Sequence, residues 1–224
     1  MTAHYRLPVT VAELGLAEQC AKGRVILIDD DPEVLSALDS LIMQEGYACE
    51  PYPSALAYLQ VLGEQRPHFA GPTCLLCDVK MPGLDGLELQ QRLLQQVYTP
   101  VLLVSGASGA QEAASAFRAG ALDFLVKPID MHDLLSAVAK ALGVSTERRT
   151  RQQRALSLAS RIASLTPRER EVARQVAQGL TNPTIAAQLG LALRTVKLHR
   201  QNAMEKLGAS HTAELVRMAD EGGL

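Results

Sequence analysis

The chain has 224 residues, 47% of them hydrophobic and 21% charged, enough for one large domain or two small ones. No apolar run approaches the roughly 20 residues of a membrane-spanning helix. Residues 1–23 lack the apolar stretch behind a basic start that marks a secretory leader, and four cysteines without framework spacing suit a reducing cytoplasm.

The net charge of −2 hides an asymmetry. Residues 1–147 carry 9 Lys+Arg against 18 Asp+Glu, a charge of −9; residues 148–224 carry 13 against 6, a charge of +7. An acidic front half joined to a basic back half predicts two domains with different partners.

Residues 24–28, RVILI, form a short β-branched run that ends on Asp29, Asp30 and Asp31. Val34, Leu35, Leu38, Leu41 and Ile42 then recur at helical spacing, with Pro32 suited to a first turn and Gly46 to an end. The alternation continues with a strand near 47–51, a helix near 54–63, a strand at 73–77, a helix at 85–96, a strand at 100–104, a helix at 109–119, a strand at 122–126 and a helix at 130–141. Such alternation predicts an α/β fold, a doubly wound five-stranded parallel sheet with helices on both faces. The strands are apolar throughout, as strands buried on both faces require. Cys74 and Cys77 are three apart in one strand, so they face opposite ways and read as packing residues.

In an open parallel sheet, ligands gather beyond the carboxyl ends of the strands. The first strand delivers Asp29 and Asp30 there, the third Asp78, the fourth Ser105 and the fifth Lys127. Each is ordinary alone; Asp31, for example, reads as a solvated helix-start carboxylate. Together they place carboxylates, a hydroxyl and an ammonium on one edge. Oxygen donors of this kind suit Mg²⁺. A phosphoryl group arriving at Asp78, with about two negative charges, would find a cation, Lys127 and the Ser105 hydroxyl around it. Asp78 is the nucleophile in that reading, giving an acyl phosphate.

Four stretches, LIDDDPEV, CDVKMPGLDG, VSG and DFLVKP, occur in an order and spacing that resemble the receiver domain of two-component response regulators. The resemblance implies that Asp78 accepts phosphate from a sensor histidine kinase. It implies that Asp30 and Asp78 bind Mg²⁺ directly, that Asp29 binds it through water, and that the Lys80 backbone carbonyl adds a further ligand. Ser105 and Lys127 would contact the phosphoryl oxygens. Phe124 matches an aromatic switch position, and the Lys127–Pro128 bond is expected to be cis.

The segment 142–164 carries five arginines between 148 and 161 and little apolar periodicity before Leu156; it reads as a linker, helical in part. Four short helices follow. Thr166, Pro167 and Glu169 form a capping box for the first, which ends near Gln178–Gly179. Asn182 is the expected cap of the second, which stops at Gly190. The third runs from about Leu193 to Leu207, and the fourth covers roughly 211–221. The second and third, joined by Gly190-Leu191-Ala192, read as a helix-turn-helix.

In the third helix Val196, His199, Ala203 and Leu207 are expected to pack inward. Arg194, Lys197, Leu198 and Gln201 share another face, with Arg200 at its flank and Thr195 beside it. Long donors on such a face suit phosphates and base edges in a major groove. LTPRERE, GLTNPTIAAQL, RTVKLHR, KLG and AELVRMA resemble the LuxR-type DNA-binding domain, whose third helix reads duplex DNA. Two positions depart from that pattern: Ala192 replaces a usual capping residue, and Pro183 stands where a basic residue is common.

The whole therefore resembles the NarL/FixJ class of response regulators. The expected organisation is an N-terminal extension at 1–23 whose role the sequence leaves open, a receiver at 24–141, a linker at 142–164 and a DNA-binding domain at 165–224. The resemblance implies a cytoplasmic, non-enzymatic regulator of transcription, homodimeric when phosphorylated or DNA-bound. Two alternatives stay open here. A haloacid-dehalogenase-like phosphatase would use similar groups, although its nucleophile precedes its acidic pair and carries a second Asp two residues on, where this chain has Lys80. A phosphate-independent DNA-binding factor would use the receiver only to dimerise.

Overall fold

The computed structural model describes residues 22–63, 71–94, 99–106 and 110–224. The chain divides after Arg149 into two compact units.

In the first unit, β1 (Arg24–Ile28), β2 (Ala48–Tyr52), β3 (Thr73–Asp78), β4 (Val101–Ser105) and β5 (Asp123–Val126) form one sheet in the order β2-β1-β3-β4-β5. Every pairing is parallel. The helices between them are α1 (Pro32–Gln44), α2 (Ala55–Gly63), α3 (Gly86–Leu94) and α4 (Ala110–Arg118); α5 (Met131–Ala163) follows β5. This is the flavodoxin-like winding, with the strand order reversing between β1 and β3.

Two cores lie on opposite faces of the sheet, divided by the period of 2 along each strand. Ile26, Ile28, Leu75, Cys77 and Leu103 pack with Tyr58 of α2, Leu89 of α3 and Ala116 of α4. Val25, Leu27, Cys74, Leu76 and Leu102 pack with Ile42 of α1 and with Leu134 and Val138 of α5. Cys74 and Cys77 thus face opposite sides of the sheet. Burial pushes the Cys74 thiol up to about 12, and the Cys77 thiol is raised by the same cause, so neither is a thiolate at neutral pH.

The segment expected as a linker is helical as far as Ala163. α5 is one helix of 33 residues rather than a helix ending at 141. No proline interrupts it, and Arg, Gln, Ala and Leu dominate its second half. The polar residues that could have broken it are used within helical geometry. The Ser145 hydroxyl oxygen accepts the Thr73 N–H at 3.0 Å, and the Thr146 hydroxyl donates to the Leu142 carbonyl at 2.9 Å.

The second unit contains α6 (Pro167–Ala177), α7 (Asn182–Leu189), α8 (Leu193–Leu207) and α9 (Thr212–Gly222). Its core gathers Ile162, Val172, Val176, Ile185, Val196, Ala203, Leu207 and Leu215. Thr166 caps α6 in a complete capping box with Glu169. The cap of α7 is Thr181, not Asn182: the Thr181 hydroxyl accepts the Thr184 N–H, Asn182 is already helical, and Pro183 lies in the first turn. Gly190 ends α7 with φ of 64°, a left-handed conformation that glycine adopts without steric cost. No helix among the described residues is long and apolar enough to cross a membrane.

Candidate functional site

Parallel pairing sends every strand tip to one edge, and the register sets which residues meet there. Ile28 pairs with Cys77, so Asp29 follows beside Asp78; Ser105 pairs with Val126, so Lys127 follows beside Ser105. The Lys127 ammonium lies 2.7 Å from Asp78 Oδ1 and 2.8 Å from Asp29 Oδ2. Both carboxylates are buried, with side chains 7% and 4% exposed. Burial pulls the Lys127 ammonium down, but its hydrogen bonds to Asp29 and Asp78 outweigh that and hold it above the usual lysine range.

The remaining acceptors of the two carboxylates are partly filled by backbone. Asp78 Oδ2 accepts the Lys80 N–H at 2.7 Å, and Asp29 Oδ1 accepts the Asp31 N–H at 2.9 Å. Asp31 itself caps α1 through the N–H groups of Glu33 and Val34. Ser105 is fully buried, and its hydroxyl donates to Glu112 Oε2 at 2.8 Å. Glu112 Oε1 lies 3.7 Å from Lys80 Nζ. The Lys127–Pro128 peptide is cis, and the Lys127 N–H donates to the Ser105 carbonyl at 2.8 Å. Phe124 is half-buried against the core that Leu103 and Ala116 share.

Asp29, Asp78, Ser105 and Lys127 therefore come together. Asp30 sits at the same edge, exposed, with no hydrogen bond or ion pair to another described residue. Among the described residues no three His, Cys, Asp or Glu side chains form a ready cluster for a metal; Lys127 binds Asp29 and Asp78 instead. The donor chemistry nonetheless fits a hard divalent cation. Asp29, Asp30, Asp78 and the Lys80 carbonyl are all oxygen donors, and that carbonyl accepts no backbone hydrogen bond from a described residue. Three carboxylates against one ammonium also leave negative charge for a cation to balance.

Two residues at this edge escaped the sequence reading. Glu112 lies seven positions beyond Ser105, and nothing in local spacing marks it as that hydroxyl's acceptor. Gly86 lies under the Asp78–Val79 peptide. A Cβ there would sit 2.4 Å from the Asp78 carbonyl oxygen and 3.1 Å from Val79 Cα, so only glycine lets α3 start against the site. The Gly in MPGLDG was the available sign, and its mechanical reason needs the fold.

In the second unit, Val196, Ala203 and Leu207 of α8 are buried and His199 is half-buried, while Arg194, Lys197, Leu198 and Gln201 are exposed along one face. Thr195 is half-buried. Arg200 is half-buried as well, and its guanidinium donates to Asn182 Oδ1 at 2.9 Å and to Thr212 Oγ1 at 2.7 Å, tying α7 and α9 to α8. Ala192 precedes α8 without any side-chain cap. Glu169 is buried and binds Lys206 at 2.6 Å, which joins the start of α6 to the end of α8.

A parallel α/β unit with an acidic strand-tip cluster, followed by a helix-turn-helix unit, is the plan of a DNA-binding response regulator. A family model for the response regulator receiver domain matches residues 25–139, and one for bacterial regulatory proteins of the luxR family matches residues 163–219. The transcriptional regulatory protein FixJ of Bradyrhizobium diazoefficiens is 35% identical over 204 residues, covering 91% of this chain and 97% of that protein. FixJ of Azorhizobium caulinodans is 38% identical over 196 residues, 87% and 90% of the two chains. The solved structure of the response regulator StyR matches with a TM-score of 0.79 at 34% identity, over 90% of this chain and 100% of that one. The chain belongs to the NarL/FixJ class of response regulators, with a receiver and a LuxR-type DNA-binding domain.

Proposed function

We propose that this chain is a phosphorylation-controlled regulator of transcription in which Asp78 receives a phosphoryl group from a sensor histidine kinase. The observation that carries the reading is the placement of the buried Asp78 carboxylate at a strand tip, 2.7 Å from Lys127 and on the same edge as Ser105. Lys127 is the fixed positive charge that accepts the incoming oxygens, and the Ser105 hydroxyl is a donor for one of them. The Lys80 N–H holds Asp78 Oδ2, which leaves Oδ1 as the attacking oxygen once Lys127 turns from it to the phosphoryl group. Asp29, Asp30, Asp78 and the Lys80 carbonyl would hold Mg²⁺, which when bound balances the charge of the carboxylates and the phosphoryl group.

Phosphorylation then acts by shifting a population. Ser105 and Lys127 engage the phosphoryl oxygens, Phe124 follows Ser105 inward, and the surface of α4, β5 and the start of α5 changes. Moving such an equilibrium from 1:99 to 99:1 takes about 5.5 kcal/mol of differential stabilisation. Two chains pairing through that surface would present two copies of α8 to half-sites about 34 Å apart on duplex DNA. Arg194, Thr195, Lys197, Leu198, Arg200 and Gln201 form the contacting face, with Arg200 also holding the unit together. The domain plan in this proposal is a receiver at 24–141, a helical connection at 142–164 and a DNA-binding domain at 165–224; residues 1–21 lie outside the described structure.

The test uses a duplex selected by this protein from a random-sequence library. Acetyl phosphate with Mg²⁺ raises affinity for that duplex in the wild type and leaves Asp78→Asn unchanged. Equal stimulation of both proteins would remove Asp78 from the mechanism; no stimulation of either would favour a phosphate-independent DNA binder.

A further inference from the structure

We infer that Glu112 is a positioning residue of the phosphoacceptor site: its carboxylate holds the Ser105 hydroxyl in the unphosphorylated protein, and phosphorylation requires that hydroxyl to change acceptors. The inference rests on the reading of Asp78 as the phosphoacceptor.

A serine hydroxyl has one proton to donate. Here it goes to Glu112 Oε2 at 2.8 Å, in a place where Ser105 is wholly shielded from water. A hydrogen bond to an ionised acceptor is about twice as strong as one between neutral groups. While it lasts, the same proton is not available to a phosphoryl oxygen on Asp78.

Glu112 also reaches the other side of the site. Its Oε1 lies 3.7 Å from the Lys80 ammonium, and the Lys80 N–H is the donor on Asp78 Oδ2. One carboxylate therefore bridges the tip of β4 and the turn after β3, which are the two segments a phosphoryl group would touch. Its own position is favourable. Glu112 is in the first turn of α4, where unpaired backbone N–H groups favour negative charge, and its side chain is 20% exposed.

The step itself balances simply. With acetyl phosphate as donor, the bond between phosphorus and the acetyl oxygen breaks and its electron pair leaves on acetate, while the bond from an Asp78 carboxylate oxygen to phosphorus forms. The Ser105 proton stays on Oγ throughout and only its acceptor changes, from Glu112 to the phosphoryl group. Glu112 thus competes with the product for the Ser105 hydroxyl, and so sets how readily the receiver is charged.

The experiment follows phosphorylation of the full chain by acetyl phosphate and Mg²⁺, with the rate read by intact mass. Glu112→Ala raises the rate roughly tenfold, the equivalent of about 1.4 kcal/mol. Glu112→Gln keeps a weaker neutral acceptor, falls between wild type and Glu112→Ala, and guards against a folding defect peculiar to the truncation. In a Ser105→Ala background the same substitutions change the rate less than about twofold, because the competition has been removed. Rates no faster than wild type in both Glu112 variants overturn the inference. So does equal acceleration in the Ser105→Ala background, which would reveal a bulk charge effect. A wild-type chain that takes no phosphoryl group at all would instead sink the Asp78 reading, and this one with it.

Discussion

Glu169 offers the cleanest energetic test of the DNA-binding unit. Its carboxylate binds Lys206 Nζ at 2.6 Å and accepts the Thr166 N–H at 2.9 Å, so it is at once the second half of a capping box and a strut from α6 to α8. The hydrogen bond from Lys206 comes first among the causes that carry its carboxyl from 4.5 down to about 2. A fall of that size corresponds to about 3 kcal/mol of preference for the charged form. Lys206 is 37% exposed, so water screens that end of the pair and reduces the expected contribution to about 1–2 kcal/mol. Because the folded carboxyl lies below its unfolded value, this stability is present above pH 4.5 and is lost as pH falls through about 2. Glu169→Gln keeps the shape and removes the charge. Amide hydrogen exchange at Val172, Val196 and Leu207, all in the core of the second unit, reads that unit alone. At pH 7 the variant should exchange about 5–30 times faster there, the factor that 1–2 kcal/mol gives. The difference from wild type should shrink towards pH 2. Equal protection at pH 7, or a difference that grows on acidification, would refute the reasoning.

Three further outcomes are expected. Lys127→Ala leaves the buried Asp29 and Asp78 carboxylates without their shared cation; labelling of Asp78 by acetyl phosphate should fall at least about tenfold, and unchanged labelling would deny Lys127 its role. Ala192→Ser supplies the missing cap of α8 and should stabilise the second unit by about 0.5–1 kcal/mol in the same exchange measurement, whereas no gain would mean that the cap cannot form there. Lys197→Ala should weaken binding to the selected duplex and lower the slope of log affinity against log salt by about 1, while Gln201→Ala weakens binding to that duplex more than to unrelated DNA. Intact affinity in both would move the DNA contact away from this face of α8.

The centre of the sheet was legible because β1, β3 and β4 are buried on both faces. VILI, CLLC and VLLV are apolar throughout, and the first polar residue after each run marks its tip, which is why Asp29, Asp78 and Ser105 could be placed from the sequence alone. Parallel topology did the rest, since it puts all tips on one edge. The length of α5 was not legible, because residues 146–157 include no buried residue to impose a period, and helical propensity alone sets no end. The cap of α7 was misplaced by one residue because Thr181 and Asn182 are both able to cap, and only the backbone decides which one lies outside the helix. Lys127 was expected at the same edge as a partner of the phosphoryl oxygens; that its long side chain also reaches Asp29 and Asp78 directly is a contact that spacing does not encode. Glu112 was invisible because its partner is fixed by how α4 lies on the sheet, which spacing does not encode.

The account depends most on Asp78 carrying the phosphoryl group, and intact-mass measurement of the full chain after acetyl phosphate and Mg²⁺ tests that directly. The wild type should gain a single phosphoryl group that is lost at alkaline pH, as an acyl phosphate is, and Asp78→Asn should gain none. A modified Asp78→Asn chain, or a wild type that stays unmodified with every phosphodonor, would contradict it.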